Sequence, residues 1–274
     1  VRRRWAVFFL GGAVAGYLVS AAVLFLDQPR RVYHPERAWS STPEDSGLAY
    51  EDVTFRAADG AVLSGWYVAA PESRGTVLFC HGNAGNISSE ISVIRMFREL
   101  GFSSFTFDYR GFGKSEGTPS EPGTYEDAAA AWTYLTEEKG VPPSEIILWG
   151  RSLGAAIAVE LATHHRAGAL VLEAAFTSIP DLAAELYPLY PTRLLALFHY
   201  STIRYVREVR YPVLVVHSSE DKLVPIRHGF EIYEAANEPK RFLEIKGPHK
   251  GLPYQEVYRR GIEKFLEDYK GLAA

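Results

Sequence analysis

Hydrophobic and polar positions along this chain fall into blocks of different period, and the first block is the longest. After Arg2, Arg3 and Arg4, the 22 residues from Trp5 to Leu26 carry no charge. As an α-helix rising about 1.5 Å per residue, that stretch reaches roughly 30 Å, the depth of a bilayer's hydrocarbon core. The apolar part of a cleaved signal is shorter, about 7–15 residues. Cleavage at the small-x-small site Ala13-Val14-Ala15 would leave a greasy new terminus. Residues 1–28 therefore read as a retained single-pass membrane anchor. The arginines before the helix slightly outnumber Arg30 and Arg31 after it, which predicts a cytoplasmic start and a non-cytoplasmic remainder. Gly12, Gly16 and Ser20 share one helix face, where a second copy could approach to form a homo-oligomer.

Residues 29–50 hold Pro29, Pro35 and Pro43 among polar residues without a clear period, and read as a linker. From residue 51 to 274 the pattern changes to that of one α/β domain. Val53–Arg56 and Val62–Ala69 flank Asp59-Gly60, which predicts a leading hairpin. Short, almost continuously apolar runs follow at 76–80, 103–107, 146–149, 169–172, 213–217 and 242–245. Such runs are expected of strands buried on both faces of a parallel sheet. Helical patterns fall between and after them, over 91–100, 125–139, 155–164, 226–236 and 254–269. No repeat of 20–50 residues is present, so a solenoid is excluded. The alternation predicts a mostly parallel central sheet with helices on both faces, whose ligands bind beyond the carboxyl ends of the strands.

Composition narrows the partners. The chain has 274 residues and a net charge of −4, so it presents no broad basic field and nucleic acid is not an expected partner. The lone Cys80 cannot form an internal disulfide, and no HExxH or paired CxxC spacing occurs, so no metal or other cofactor is expected.

The chemistry is read at the strand ends. Gly150-Arg151-Ser152-Leu153-Gly154 lies between a predicted strand and an Ala-rich helix. In that context GxSxG is a nucleophile elbow: its glycines clear space where strand and helix nearly collide, leaving the serine exposed on a sharp turn. A serine hydroxyl needs a base at neutral pH. His249, after the last strand and before the last helix, stands where that base belongs. His164 and His165 end a helix, His217 closes an apolar strand, and His81 shapes a loop. The acid that orients the base should follow the preceding strand, where Glu220 and Asp221 are both available. The glycine-rich loop from Cys80 to Asn86 can aim backbone amides at an oxyanion. The expected donors are the N–H groups of Asn83 and Leu153, and losing one such donor costs about 3–4 kcal/mol. Gly113-Lys114-Ser115 mimics the end of a phosphate-binding loop, but Asp108 stands where that motif needs glycine.

HGNAGN at 81–86, DYRGFGKSEG at 108–117, GRSLG at 150–154 and AFTSIPDLAAELYP at 175–188, with the late aspartate and histidine, resemble one group of proteins. They are the membrane-associated α/β-hydrolase-domain proteins, which include bacterial esterases and relatives of protein depalmitoylases. The resemblance runs from about residue 50 to near the end. It implies the α/β-hydrolase fold, Asp221 as the acid, a Ser152–Asp221–His249 catalytic triad, and hydrolysis of acyl esters or thioesters. Lys250, directly after His249, departs from the small or acidic residue common in that group.

Between the runs at 169–172 and 213–217 lies an insertion rich in leucine and tyrosine, expected as a helical lid at about 176–210 over the site. Its apolar content suits an acyl-binding wall. The leading expectation is therefore a membrane-tethered serine esterase acting on small-molecule or lipid-like acyl esters. An acyl-protein or acyl-coenzyme thioesterase would use the same residues. A non-catalytic interaction protein would keep the fold without the activity.

Overall fold

The structure is a computed structural model and describes residues 2–249 and 256–269. Helix α1 (Arg2–Leu26) is followed at once by α2 (Gln28–Val32). The described residues then build an eight-stranded sheet: β1 (Glu51–Arg56), β2 (Val62–Val68), β3 (Thr76–Cys80), β4 (Ser103–Phe107), β5 (Ile146–Arg151), β6 (Ala169–Glu173), β7 (Val213–Ser218) and β8 (Lys240–Ile245). Their order is β8-β7-β6-β5-β3-β4-β2-β1. Only β2 runs against its neighbours; every other pairing is parallel.

Two-residue alternation within the buried strands sends side chains to two cores. Leu78 and Cys80, Leu148, and Val213 and Val215 face one layer, packed by α4 (Glu121–Thr133), α5 (Leu153–His164) and α9 (Ile226–Ala235). Val77 and Phe79, Ile147 and Trp149, and Leu214 and Val216 face the other, closed by α3 (Ile91–Glu99) and α10 (Glu256–Asp268). Helix α5 is buried from Leu153 to Val159, and its alanines let it lie close against the sheet. This is the α/β-hydrolase fold that the resemblance implies, with the mostly parallel sheet and flanking helices that the alternation of elements predicts.

Two stretches differ from expectation. Residues 29–50, expected as a linker, form a packed strap. Val32, Tyr33 and Leu48 are buried, and His34–Pro35 pair in parallel with Ala84–Gly85. Trp39 lies edge-on to Trp66, and its Nε1 donates to Asp108 Oδ2 at 2.8 Å. The second is α4, which starts at Glu121 rather than Tyr125. Pro122 and Gly123 read as turn residues, but proline is tolerated in a first helical turn and the Ser120 hydroxyl caps the Gly123 amide.

The lid comprises α6 (Ile179–Leu186), α7 (Thr192–Leu195) and α8 (Thr202–Tyr205). Helix α1 contains an apolar window, Phe9–Leu26, long enough to cross a membrane.

Candidate active site

The elbow is built by close approach. A Cβ on Gly150 would lie 2.2 Å from the Gly154 carbonyl oxygen, and one on Gly154 would lie 2.0 Å from that of Cys80. Only glycine fits at either position. Between them Ser152 adopts φ 54°, ψ −117°, a conformation that costs a non-glycine residue about 1–3 kcal/mol and persists where the surroundings enforce it. Here the Ser152 amide donates to the Glu173 carbonyl at 2.9 Å. Leu153 opens α5, so its N–H has no acceptor within the helix.

A polar knot beneath the elbow holds it in place. The fully buried Glu173 carboxylate accepts from Arg151 Nε at 2.6 Å, Tyr258 OH at 2.6 Å and Trp149 Nε1 at 3.2 Å. Arg151 also reaches Glu90 at 2.9 Å. A guanidinium buried this deeply needs both carboxylates.

The glycine-rich loop is gripped by the strap. The Asn83 carbonyl accepts from His34 N at 2.9 Å, and its side-chain amide donates to the Val32 carbonyl at 2.9 Å. Asn86 donates to the carbonyls of Glu36 and Ala38. Below the loop Asp108 accepts from Ile87 N at 2.9 Å. Burial pushes the Asp108 carboxyl up to about 6 and the neighbouring His81 imidazole down to about 4. His81 is therefore neutral at pH 7, and its Nδ1 donates to the Gly82 carbonyl at 2.7 Å.

Asp221 and His249 meet directly. His249 Nδ1 lies 2.6 Å from Asp221 Oδ2, while Asp221 Oδ1 accepts from the amides of Leu223 and Val224, both at 2.9 Å. Burial raises the Asp221 pKa, but the His249 bond and these amides outweigh it, leaving it below its ordinary value. An ionised carboxylate only accepts, so Nδ1 carries the proton and Nε2 is left to take another. Glu220, the rival carboxylate, instead accepts from Gly247 N at 3.1 Å. His217 donates from Nε2 to the Val224 carbonyl at 2.8 Å, and its buried Nδ1 has no hydrogen-bond partner among the described residues.

Ser152, Leu153 and Asn83 share a cavity of about 200 Å³ with Leu223 and Val224 of the Asp221 loop. Its remaining walls are mostly apolar: Phe176 at the floor, Ile179 and Leu182 from α6, and Leu24 and Phe25 from α1. Among the described residues, no group of three or more His, Cys, Asp or Glu side chains could hold a metal ion.

Residues 71–207 match the sequence family described as serine aminopeptidase, S33. An uncharacterized protein of Mycobacterium tuberculosis, Rv2307c, is 37% identical over 241 residues, covering 86% of this chain and 85% of the relative. This chain belongs to the α/β-hydrolase family. A Saccharomyces cerevisiae protein called an uncharacterized membrane protein is 33% identical to this hydrolase over 276 residues, covering 96% of this chain and 97% of its own. In fold, the hydrolase is similar to the Pyrococcus furiosus esterase Pf2001, with a TM-score of 0.73 at 23% identity, covering 87% of this chain and 100% of that one.

The structure places the expected site residues in two groups. Ser152, Leu153 and Asn83 surround one cavity, and Asp221 and His249 are hydrogen-bonded at the ends of the neighbouring strands. Lys250 lies outside the described residues. Gly12 and Gly16 have nothing within 4 Å of a built Cβ, whereas the Ser20 hydroxyl accepts from Tyr190 of the lid at 2.9 Å. Sequence reasoning missed Arg151 and Glu173, which position the elbow. The available signal was a glutamate closing the apolar run at 169–172, because a buried carboxylate implies a buried cation. It also missed the contribution of α1 to the cavity, for which no local pattern exists.

Proposed function

We propose that this hydrolase cleaves carboxylic esters through an acyl-enzyme on Ser152, with the anchor helix holding it at a membrane. The observation that carries the reading is the strained Ser152 opening into an apolar cavity, with a hydrogen-bonded histidine–aspartate pair just beyond β7 and β8 of the same sheet. His249 Nε2 takes the proton of Ser152 Oγ as the oxygen attacks the acyl carbon. The oxyanion is met by the amides of Asn83 and Leu153, at the positive end of α5. Collapse breaks the ester C–O bond, and His249 returns its proton to the departing alcohol. Water then repeats the sequence on the acyl-enzyme, releasing the acid. Throughout, Asp221 holds the imidazole tautomer and stabilises the imidazolium without taking the proton.

An apolar acyl wall and a fold similar to a protein called an esterase both favour esters as substrates. The peptidase in the family's description gains little support from this cavity, whose lining is mostly apolar. An N-terminal helix able to cross a bilayer, and a yeast relative called a membrane protein, support the tether. The test is hydrolysis of p-nitrophenyl esters from acetate to palmitate. Ser152→Ala should lower kcat by roughly 10⁴–10⁶-fold on every ester cleaved. Equal rates for the two proteins, together with no fluorophosphonate labelling of Ser152, would sink the proposal in favour of an interaction protein.

A further inference from the structure

The anchor and the lid are bonded to one another along the anchor's C-terminal half. Tyr17 OH donates to the Leu189 carbonyl at 3.0 Å, and its ring stacks on Tyr190 with centroids 5.3 Å apart. Tyr190 OH donates to Ser20 Oγ at 2.9 Å. Farther along, the Gln28 amide bridges two lid backbone groups, donating to the Leu195 carbonyl and accepting from Leu197 N, both at 2.8 Å. Ser20, Ala21, Leu24, Asp27 and Gln28 are the half-buried positions, spaced three and four apart, so one helix face meets the lid. The other faces carry exposed Leu10, Val14, Leu18 and Val23.

This arrangement sets the depth of the lid. If the lid stood clear of the bilayer, only Trp5 to about Tyr17 would remain to cross it, twelve residue steps or about 18 Å. A hydrocarbon core is about 30 Å thick. For α1 to span, the membrane must rise past Tyr17 and take in the part of the lid bonded there. The lid is composed for such a place. Leu189 and Leu194 are 81% and 86% exposed, and Leu186 and Leu197 are about half exposed. Between Leu186 and Phe198 the only formal charge is Arg193, which pairs with Asp181 at 3.0 Å.

We propose that the lid tip is immersed in one leaflet alongside α1, and that the cavity between them admits an acyl chain of a bilayer-resident ester laterally from that leaflet. Leu24 and Phe25 of the anchor would then be substrate-binding residues, facing Leu182 and Leu186 across the chain. The proposal takes its chemistry from the ester-hydrolase reading, but its geometry stands on the anchor–lid contacts alone.

The test uses the full chain in phosphatidylcholine vesicles doped with a phosphatidylcholine that carries a diazirine at one acyl terminus. After illumination, crosslinked residues are mapped by mass spectrometry. Crosslinks are expected on Leu189 and Leu194 at the lid tip and on Phe176 and Leu182 inside the cavity. In Leu24→Trp, which narrows the cavity, those on Phe176 and Leu182 should fall about tenfold while those on Leu10 and Val14 persist. Crosslinks on outward α1 residues with none on the lid tip or cavity would overturn the proposal, whatever the result for the tryptophan variant. Cavity crosslinks unchanged in a folded Leu24→Trp would overturn the part given to the anchor. Failure of the ester reading is separate: it would show as full crosslinking with no ester turnover.

Discussion

Beneath Ser152, Glu173 takes hydrogen bonds from Arg151, Tyr258 and Trp149 in complete burial. Above Ser152, Tyr17 of α1, whose other faces are exposed, and Gln28 at the start of α2 reach the lid. The lower region joins β5, β6 and α10, with Glu90 just before α3, through buried charged and polar side chains. In the upper region the Gln28 and Tyr17 hydrogen bonds run from side chains to lid backbone and are part-exposed, so water can replace them. A rigid floor keeps the nucleophile's geometry, where an error of about 1 Å costs orders of magnitude in rate. A lightly held roof can part to admit a chain and release an acid.

Substitutions should separate the two regions, and the greatest change is expected at the catalytic pair. Asp221→Asn should cut kcat about 10⁴-fold, or about 5 kcal/mol in the barrier, because the imidazole tautomer is no longer held. The same variant has a signature in stability. The Asp221 pKa is lower in the folded protein than its ordinary 3.8, so the carboxylate stabilises the fold above that pH. This contribution is lost as pH falls through the folded value. The difference in Tm between wild type and variant should therefore narrow below about pH 4. A difference that widened on acidification would break the assignment.

Next in size is the floor. Glu173→Gln leaves the Arg151 guanidinium with Glu90 as its remaining carboxylate and should destabilise the protein by about 3 kcal/mol, measured by urea unfolding. The smallest change is expected in the roof. Gln28→Ala removes two half-exposed hydrogen bonds and should cost about 1 kcal/mol or less in global stability. Its mark should be faster proteolysis within residues 187–197. If it lowered global stability as much as Glu173→Gln, roof and floor would be one cooperative unit and the contrast would fail.

What the sequence disclosed follows the same division. Strands β3 and β4 were legible to the residue, because burial on both faces makes Thr76–Cys80 and Ser103–Phe107 stand out from their polar flanks. The elbow was legible because Gly150 and Gly154 answer a steric demand that no other residue meets. The residues alone did not separate Asp221 from Glu220, since both follow β7; the family resemblance chose between them. In the fold Asp221 meets His249 and Glu220 turns to Gly247. The strap at 29–50 was illegible for a different reason. Many of its ties are backbone pairings or polar side-chain bonds, as from Asn86 to the Glu36 and Ala38 carbonyls, and such bonds leave no apolar period to read. The anchor–lid contacts join residues more than 160 positions apart, beyond any pattern in a local window.

The bond from the Asn83 side chain to the Val32 carbonyl bears on how the protein can be shortened. A chain begun at residue 35 would lack both the Val32 acceptor and the His34 amide that pairs with the Asn83 carbonyl. The loop proposed to bind the oxyanion would lose two of its moorings, and Leu24 and Phe25 would be missing from the cavity wall. Such a truncated hydrolase would keep Ser152, Asp221 and His249, yet its kinetics would describe a different pocket from that of the full chain.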